Sequence, residues 1–321
     1  MELTKRWYGF GLGALLVASG ASCSANDGGA SCVDCGANGG SAGQGATGGT
    51  NQGGTSQGGS GGDLIGSGGT AAGGGGSGGA DVGQVFGHSE DTLYELEPFS
   101  KSVQQIGKFD CLNGLEMWDI AIDGDGRMVG AAMSISSGSL VEIDPSTAHC
   151  TPIASGSFPN SLTYIPAGVL DPTDEVLVGF SQGNYLRIDP LTGATTQIGS
   201  MNPNSTGTNW ISSGDVVSLQ GGGTYATVRP LLSGSTAIDS LVEIDPKTGQ
   251  VLKVIGSTGF SQLWGLGFWA GTAYGFSANG QLVSIDLTTG AGTFIPLPSI
   301  PNGLSFWGAG TTTSAPVEPP R

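Results

Sequence analysis

The sequence is short of charge, and shortest of positive charge. Only 11% of its 321 residues are charged, and 10 Lys and Arg face 26 Asp and Glu, a formal net charge of -16. Nucleic acids and anionic membrane surfaces need a basic footprint, so neither is expected as a partner. The acidic residues are scattered, which reads as a solvated surface and a monomer. Histidine is scarce too. His88 and His149 fall in stretches read as outer strands or turns, far from any central site, which argues against a histidine metal centre or a Ser-His-Asp triad. Asp123-Gly124-Asp125-Gly126 lacks the downstream glutamate of a calcium loop and reads as a hairpin turn. The glycine runs precede no helix, so they form no phosphate cradle. No metal and no cofactor are expected. No apolar run reaches the ~20 residues that span a bilayer. No stretch carries apolar residues at helical spacing, which leaves an all-β domain.

What the chain has in excess is glycine, 61 residues, with the excess concentrated before residue 81. Residues 24–82 are almost entirely Gly, Ser, Ala, Thr, Gln and Asn. Such a segment buries too little apolar surface to offset its chain entropy, so residues 23–82 are expected to be a disordered tether. As a Gly-rich coil its reach is roughly 45 Å. Ahead of it, Lys5 and Arg6 precede a short apolar stretch, residues 7–17, and a run of small residues that ends at Cys23. This resembles a bacterial lipoprotein signal. The resemblance implies that residues 1–22 are removed and that Cys23 is lipidated. The chain would then reach the cell envelope, at the outer membrane, held there by its lipid anchor alone. Gly20 stands where that pattern prefers leucine, and ordinary signal cleavage with secretion is the alternative.

Setting Cys23 aside leaves Cys32, Cys35, Cys111 and Cys150, an even number suited to an oxidising compartment. Cys32 and Cys35 read as a local disulfide, since no second pair and no nearby histidine support a zinc or redox site. Cys111 and Cys150 are a second candidate pair, although they sit near different ends of neighbouring repeats.

The most informative signal is one phrase written five times: Tyr94-Glu95-Leu96-Glu97-Pro98, Val141-Glu142-Ile143-Asp144-Pro145, Leu186-Arg187-Ile188-Asp189-Pro190, Val242-Glu243-Ile244-Asp245-Pro246 and Val283-Ser284-Ile285-Asp286-Leu287. From acidic residue to acidic residue the spacings are 47, 45, 56 and 41. A period in that range marks repeats that cannot bury a core singly. Each unit reads as four short strands: an apolar strand such as 118–122, a glycine turn, a β-rich strand, the phrase itself, and a last strand such as 251–255. The Asp-Pro-x-Thr-Gly exit is a turn, with Asp as cap, Pro fixing φ and Gly supplying positive φ. Four strands per repeat predict propeller blades. The first unit lacks its inner strand. The segment 302–306 reads as an inner strand without a blade. Joining the two predicts a five-bladed β-propeller over residues 83–312, closed by a composite blade, with 313–321 as a frayed tail. The longer spacing leaves room for an insertion at 201–209 or 230–238. The sequence resembles bacterial β-propellers whose blades carry a Leu-Tyr-x-Ile-Asp-Pro-x-Thr-Gly phrase. That family holds binding proteins, lyases, hydrolases and quinoproteins, so the resemblance implies the fold and leaves the activity open.

Aligned inner strands place Trp118, Asn160, Asp215, Trp264 and Asn302 at equivalent positions on the funnel rim, with Trp210 a few residues ahead of Asp215. Indoles cover the apolar face of a sugar, and Asn and Asp exchange hydrogen bonds with its hydroxyls. The same residues also suit packing between blades and turn capping. The expectation is a non-catalytic module that binds a glycan or a protein partner at the funnel face. A polysaccharide-active glycosidase or lyase using Glu116, Asp119 or Asp215 is the first alternative. A structural envelope component is the second.

Overall fold

The computed structural model describes residues 83–204, 207–299, 301 and 303–319. The signal segment, Cys23, the tether, Cys32, Cys35 and Asn302 lie outside the described residues.

Each repeat forms one antiparallel sheet. The first blade begins with β1 (Val85–His88), β2 (Thr92–Glu97) and β3 (Ser102–Lys108). The second holds β4 (Glu116–Ile122), β5 (Met128–Met133), β6 (Gly138–Ile143) and β7 (Cys150–Ser155). The third holds β8 (Leu162–Ile165), β9 (Val176–Ser181), β10 (Asn184–Ile188) and β11 (Thr195–Ser200). The fourth holds β12 (Trp210–Ser218), β13 (Thr224–Pro230), β14 (Ile238–Ile244) and β15 (Val251–Ser261). The fifth holds β16 (Leu263–Trp269), β17 (Thr272–Ser277), β18 (Leu282–Ile285) and β19 (Gly292–Ile295). Last comes β20 (Gly308–Thr311), which pairs antiparallel with β1, so the first sheet has the order β20-β1-β2-β3.

The inner strands β4, β8, β12, β16 and β20 neighbour one another in a closed cycle. Five apolar clusters fill the five blade interfaces, one at each. The fold is thus a five-bladed ring, as the repeat count predicts. Pairing the last strand with the first removes an open sheet edge that would otherwise invite aggregation. The two segments with room for an insertion, 201–209 and 230–238, contain the loops that flank β12 and that join β13 to β14.

The closing strand is not where the sequence places it. It runs over Gly308–Thr311, not over 302–306. Phe306 is fully buried and wedges between the fifth and first blades, edge-on to Phe276 at 5.0 Å and to Tyr94 at 6.2 Å. The axis is too crowded for such a ring, and the small run Gly308-Ala309-Gly310 takes the inner position instead. The expected frayed tail is packed as well. Thr313 and Ala315 are buried, the Gln220 N–H donates to the Thr313 carbonyl at 2.8 Å, and the Ala270 N–H donates to the Pro316 carbonyl at 2.7 Å.

The repeated phrase explains how blades dock. In all five copies the fourth residue after the acidic one has positive φ: Lys101, Ala148, Gly193, Gly249 and Gly290. Its N–H donates back to the carbonyl of the acidic residue, and the acidic side chain accepts the N–H two residues on. The rigid turn then rests on the outer strand of the preceding blade. The Ser200 N–H donates to the Thr248 carbonyl at 3.0 Å, and a β-carbon on Gly199 would collide with that carbonyl. Gly107 meets Thr147 and Gly256 meets Thr289 in the same way.

Cys111 and Cys150 form a disulfide, with Cα atoms 5.4 Å apart. The segment between β3 and β4 passes the outer edge of the second blade, where β7 begins. Asp110 accepts the Cys150 N–H at 3.0 Å and fixes the approach.

Candidate functional site

The inner strands all begin on one face of the ring, the mouth, and end on the other, the exit face. Just below the mouth the axis is filled by a buried polar layer. Asp119 on β4, Asp215 on β12 and His88 at the end of β1 are all fully buried. Asp119 Oδ2 accepts the Leu162 N–H of β8 at 2.5 Å. Asp215 accepts the Val216 N–H at 2.6 Å and the Leu266 N–H of β16 at 2.9 Å. The two carboxyls lie close enough for each to act on the other's proton affinity. Two side chains therefore tie four of the five inner strands, β4 to β8 and β12 to β16.

Two carboxylates in a dry space cannot both hold a charge at low cost, so such a pair shares a proton. Burial pushes the Asp119 carboxyl well above its usual range, and the Asp215 charge adds to the effect. Burial does the same to Asp215, against the N–H groups of Leu266 and Val216. His88 Nε2 lies 3.8 Å from Asp119 Oδ1. This is not an ion pair at neutral pH. Burial pulls the His88 pKa down to about 4, despite its hydrogen bond to the Ser89 carbonyl, so the ring is neutral. His88 Nε2 and Asp119 Oδ1 have no protein hydrogen-bond partner. A β-carbon on Gly308 would collide with both. A third buried carboxyl, Asp239 on β14, takes the Leu263 N–H at 2.8 Å, and burial raises its pKa to about 6.

The mouth above this layer is aromatic. Trp264 meets Trp307 edge-to-face, with ring centroids 6.1 Å apart. Both are half-buried. Trp118 is also half-buried and packs against the cluster of Phe158 and Leu162 in the third blade. Asn160 and Glu116 are exposed at the mouth ends of their strands.

The six rim residues expected from the sequence therefore divide. Trp118, Asn160 and Trp264 stand at the mouth, and Asn302 is outside the described residues. Asp215 is sealed into the axis, where backbone N–H groups occupy its oxygens. Trp210 lies away from the axis. Asn202 clamps its backbone with two hydrogen bonds of 2.7 Å, and its ring lines a peripheral groove with Met201 and Val254. Regular alternation would put Trp210 and Asp215, five residues apart, on opposite faces of the strand, and β12 is irregular between Ser212 and Val216. His88, expected far from the funnel, sits at its centre, because the composite blade turns β1 into a second strand that ends beside β20. His149 is exposed on the outer edge and pairs with Asp110 at 2.7 Å. Trp307 is a mouth residue that the alignment missed, since the closing strand lies later than expected. Among the described residues no group of three His, Cys, Asp or Glu is placed to hold a metal, and no helix is long and apolar enough to cross a membrane.

Fold and site define the class: a five-bladed β-propeller with an aromatic mouth and a sealed carboxyl layer on its axis. No family model matches the sequence, and no curated protein is similar to it. Among solved structures, the chain is similar to one described as a nidogen/laminin complex, at 10% identity and a TM-score of 0.44, covering 74% of this chain and 99% of that one. TolB from Acinetobacter baumannii gives 14% identity and a TM-score of 0.37, covering 69% and 51%. The PQQ-bound aldose sugar dehydrogenase of Streptomyces coelicolor gives 12% identity and 0.38, covering 66% and 78%.

Proposed function

We propose that the chain is a cell-envelope lipoprotein whose propeller binds a glycan at its mouth without acting on it. The observation that carries this reading is the Trp264–Trp307 pair, set with Trp118 and Asn160 around a mouth closed beneath by the Asp119–Asp215 layer. A ligand there would lie across indole faces instead of entering a tunnel. Flat rings suit the apolar face of a pyranose, and an exposed amide suits its hydroxyls. The net charge of -16 favours a neutral glycan over an anionic one. The glycosidase alternative finds little support in Asp119 and Asp215, because both are fully buried, with Asp215 and one Asp119 oxygen held by strand N–H groups. A protein partner at the same indoles is the remaining reading.

A glycan array probed with the mature protein tests the proposal. The expected result is binding of a neutral glycan that quenches tryptophan fluorescence. The double variant Trp118→Ala, Trp264→Ala should lose at least about tenfold in affinity while keeping its unfolding temperature within a few degrees. A blank array from folded protein would turn the reading towards a protein partner. The anchor is tested separately: labelled fatty acid should be incorporated into the wild type and not into Cys23→Ala.

A further inference from the structure

The loop between the second and third strands of a blade rises on the mouth face. In the fourth blade it has seven residues, Leu231 to Ala237, against two to four in the other blades. Pro230 lies opposite Trp210 at the mouth end of β12, so the longer loop starts at the rim. Leu232 is 97% exposed, and Leu231 and Ile238 are exposed beside it. The loop is held in place by its own hydrogen bonds. The Leu231 N–H donates to the Asn209 carbonyl at 2.8 Å, and the Ala237 N–H donates to the Gly234 carbonyl at 3.0 Å. The Ser233 N–H and hydroxyl both donate to the Pro230 carbonyl, at 2.9 and 2.6 Å. The buried Arg229 donates to the Ser233 carbonyl at 2.9 Å. Three aliphatic side chains thus face water on a fixed frame. Covering them gains hydrophobic free energy and orders little that is not already ordered.

The charge of the chain singles out the same region. No residue is charged from 190 to 214, from 254 to 285 or from 287 to 317. The loop carries no charge either, and the charged residues that flank it, Arg229 and Asp239, are buried. Among the described residues, the mouth ends of the fourth and fifth blades therefore expose no charge. Such a surface suits the centre of a protein interface, where charged residues are depleted. The net charge of -16 lies elsewhere on the chain, so two copies repel least when they meet through this region. A basic partner would be drawn to the acidic remainder, and an acidic one finds no exposed cation at the loop. Aliphatic tips need no complementary charge and match their own kind across a two-fold axis. We propose that residues 231–238 form a self-association surface, through which two copies of the chain pair as a symmetric dimer with Leu231, Leu232 and Ile238 of each at its centre.

Sedimentation of the Cys23→Ala chain, in which no acyl group at that position can drive association, tests the proposal. At about 100 µM the chain should sediment with twice the mass of one copy. Raising the salt from about 0.05 M to about 0.5 M should tighten the dimer several-fold, because salt screens the repulsion between two acidic bodies. Leu232→Asp should weaken association at least about tenfold, and Leu232→Ser, which adds no charge, should weaken it too. A side chain this exposed can be replaced without loss of the fold, and an unchanged unfolding temperature checks that. A single-chain mass at both salt concentrations overturns the proposal, and so does a dimer that both variants leave intact. A single chain that binds phosphatidylcholine vesicles, and loses them with Leu232→Asp, would assign the loop to a lipid surface, which also overturns it.

Discussion

At the scale of single residues, the pH response of this fold is set by carboxyls working in opposite directions. Burial raises Asp119, Asp215 and Asp239 above their unfolded values. A raised carboxyl binds its proton more tightly when folded, so its stabilising effect is full below the unfolded pKa and fades as pH rises through the folded one. For Asp239 that window runs from about 4 to about 6. His88 opposes it. Its pKa falls to about 4, so the fold loses stability as pH drops from about 6.5 towards that value. The turn residues act on the acid side too. Asp144, held low first by the Ser146 hydroxyl, and Asp189 and Asp286, held low first by the N–H groups of Leu191 and Thr289, lose their contribution as pH falls below the usual carboxylate range. Asp119→Asn isolates the axial pair. Its oxygen can still accept the Leu162 N–H, while its amide can donate towards Asp215 without needing a shared proton. Thermal unfolding followed from pH 5 to pH 9 should show a smaller loss of stability in the variant than in the wild type. Parallel curves would mean that the pair carries no proton of consequence. Gly308→Ala should be severely destabilising, since its methyl group has only Asp119 and His88 to displace.

At the scale of the element, the recurring turn acts as a peg and the glycine opposite it as the socket. Gly199 lies against the Thr248 carbonyl and Gly256 against the Thr289 carbonyl, so each turn fixes the blade before it. Gly199→Ala should cost about 2–4 kcal/mol, measured by denaturant unfolding. Gly234→Ala is the control, because nothing lies within 4 Å of a β-carbon there, and it should stay within about 0.5 kcal/mol of the wild type. Equal effects at the two positions would show that the peg contributes nothing. This element was the part most legible in the sequence, and for a physical reason. Backbone geometry that demands Asp, Pro and Gly at set offsets leaves a record in residue identity. Ala148 and Lys101 adopt the same positive φ without glycine, and there the phrase is harder to read. The mouth left a weaker record. Whether an indole such as Trp210 faces the axis or the rim depends on strand phase, and the irregularity in β12 shifts that phase without marking the sequence. His88 and Asp119 meet only because β1 and β20 pair across 220 residues (308 − 88), a distance no local pattern reports.

At the scale of the whole molecule, one device closes the ring and another staples two neighbouring blades. One is the pairing of β20 with β1. The other is the Cys111–Cys150 bridge, which closes a loop of 39 residues between the first and second blades. Chain entropy gives such a loop about 4 kcal/mol. Reduction under native conditions, or Cys111→Ser with Cys150→Ser, should lower the unfolding temperature by on the order of 10 °C, read by calorimetry. No change on reduction would place the ring's stability wholly in its packing. The number of blades and the idea of a composite closure followed from counting repeats. The position of the closing strand did not, because Phe306 and the Gly308 run are equally compatible with a strand until neighbouring aromatics decide which fits the axis.

The pairing of β1 with β20 also sets a direction. Val85 lies opposite Thr311 and the Gln84 N–H donates to Thr312 Oγ1, so the chain enters the ring at the exit face. Gly83 and Gln84 therefore stand behind the indoles, and the face that carries Trp264 and Trp307 is clear of the incoming strand.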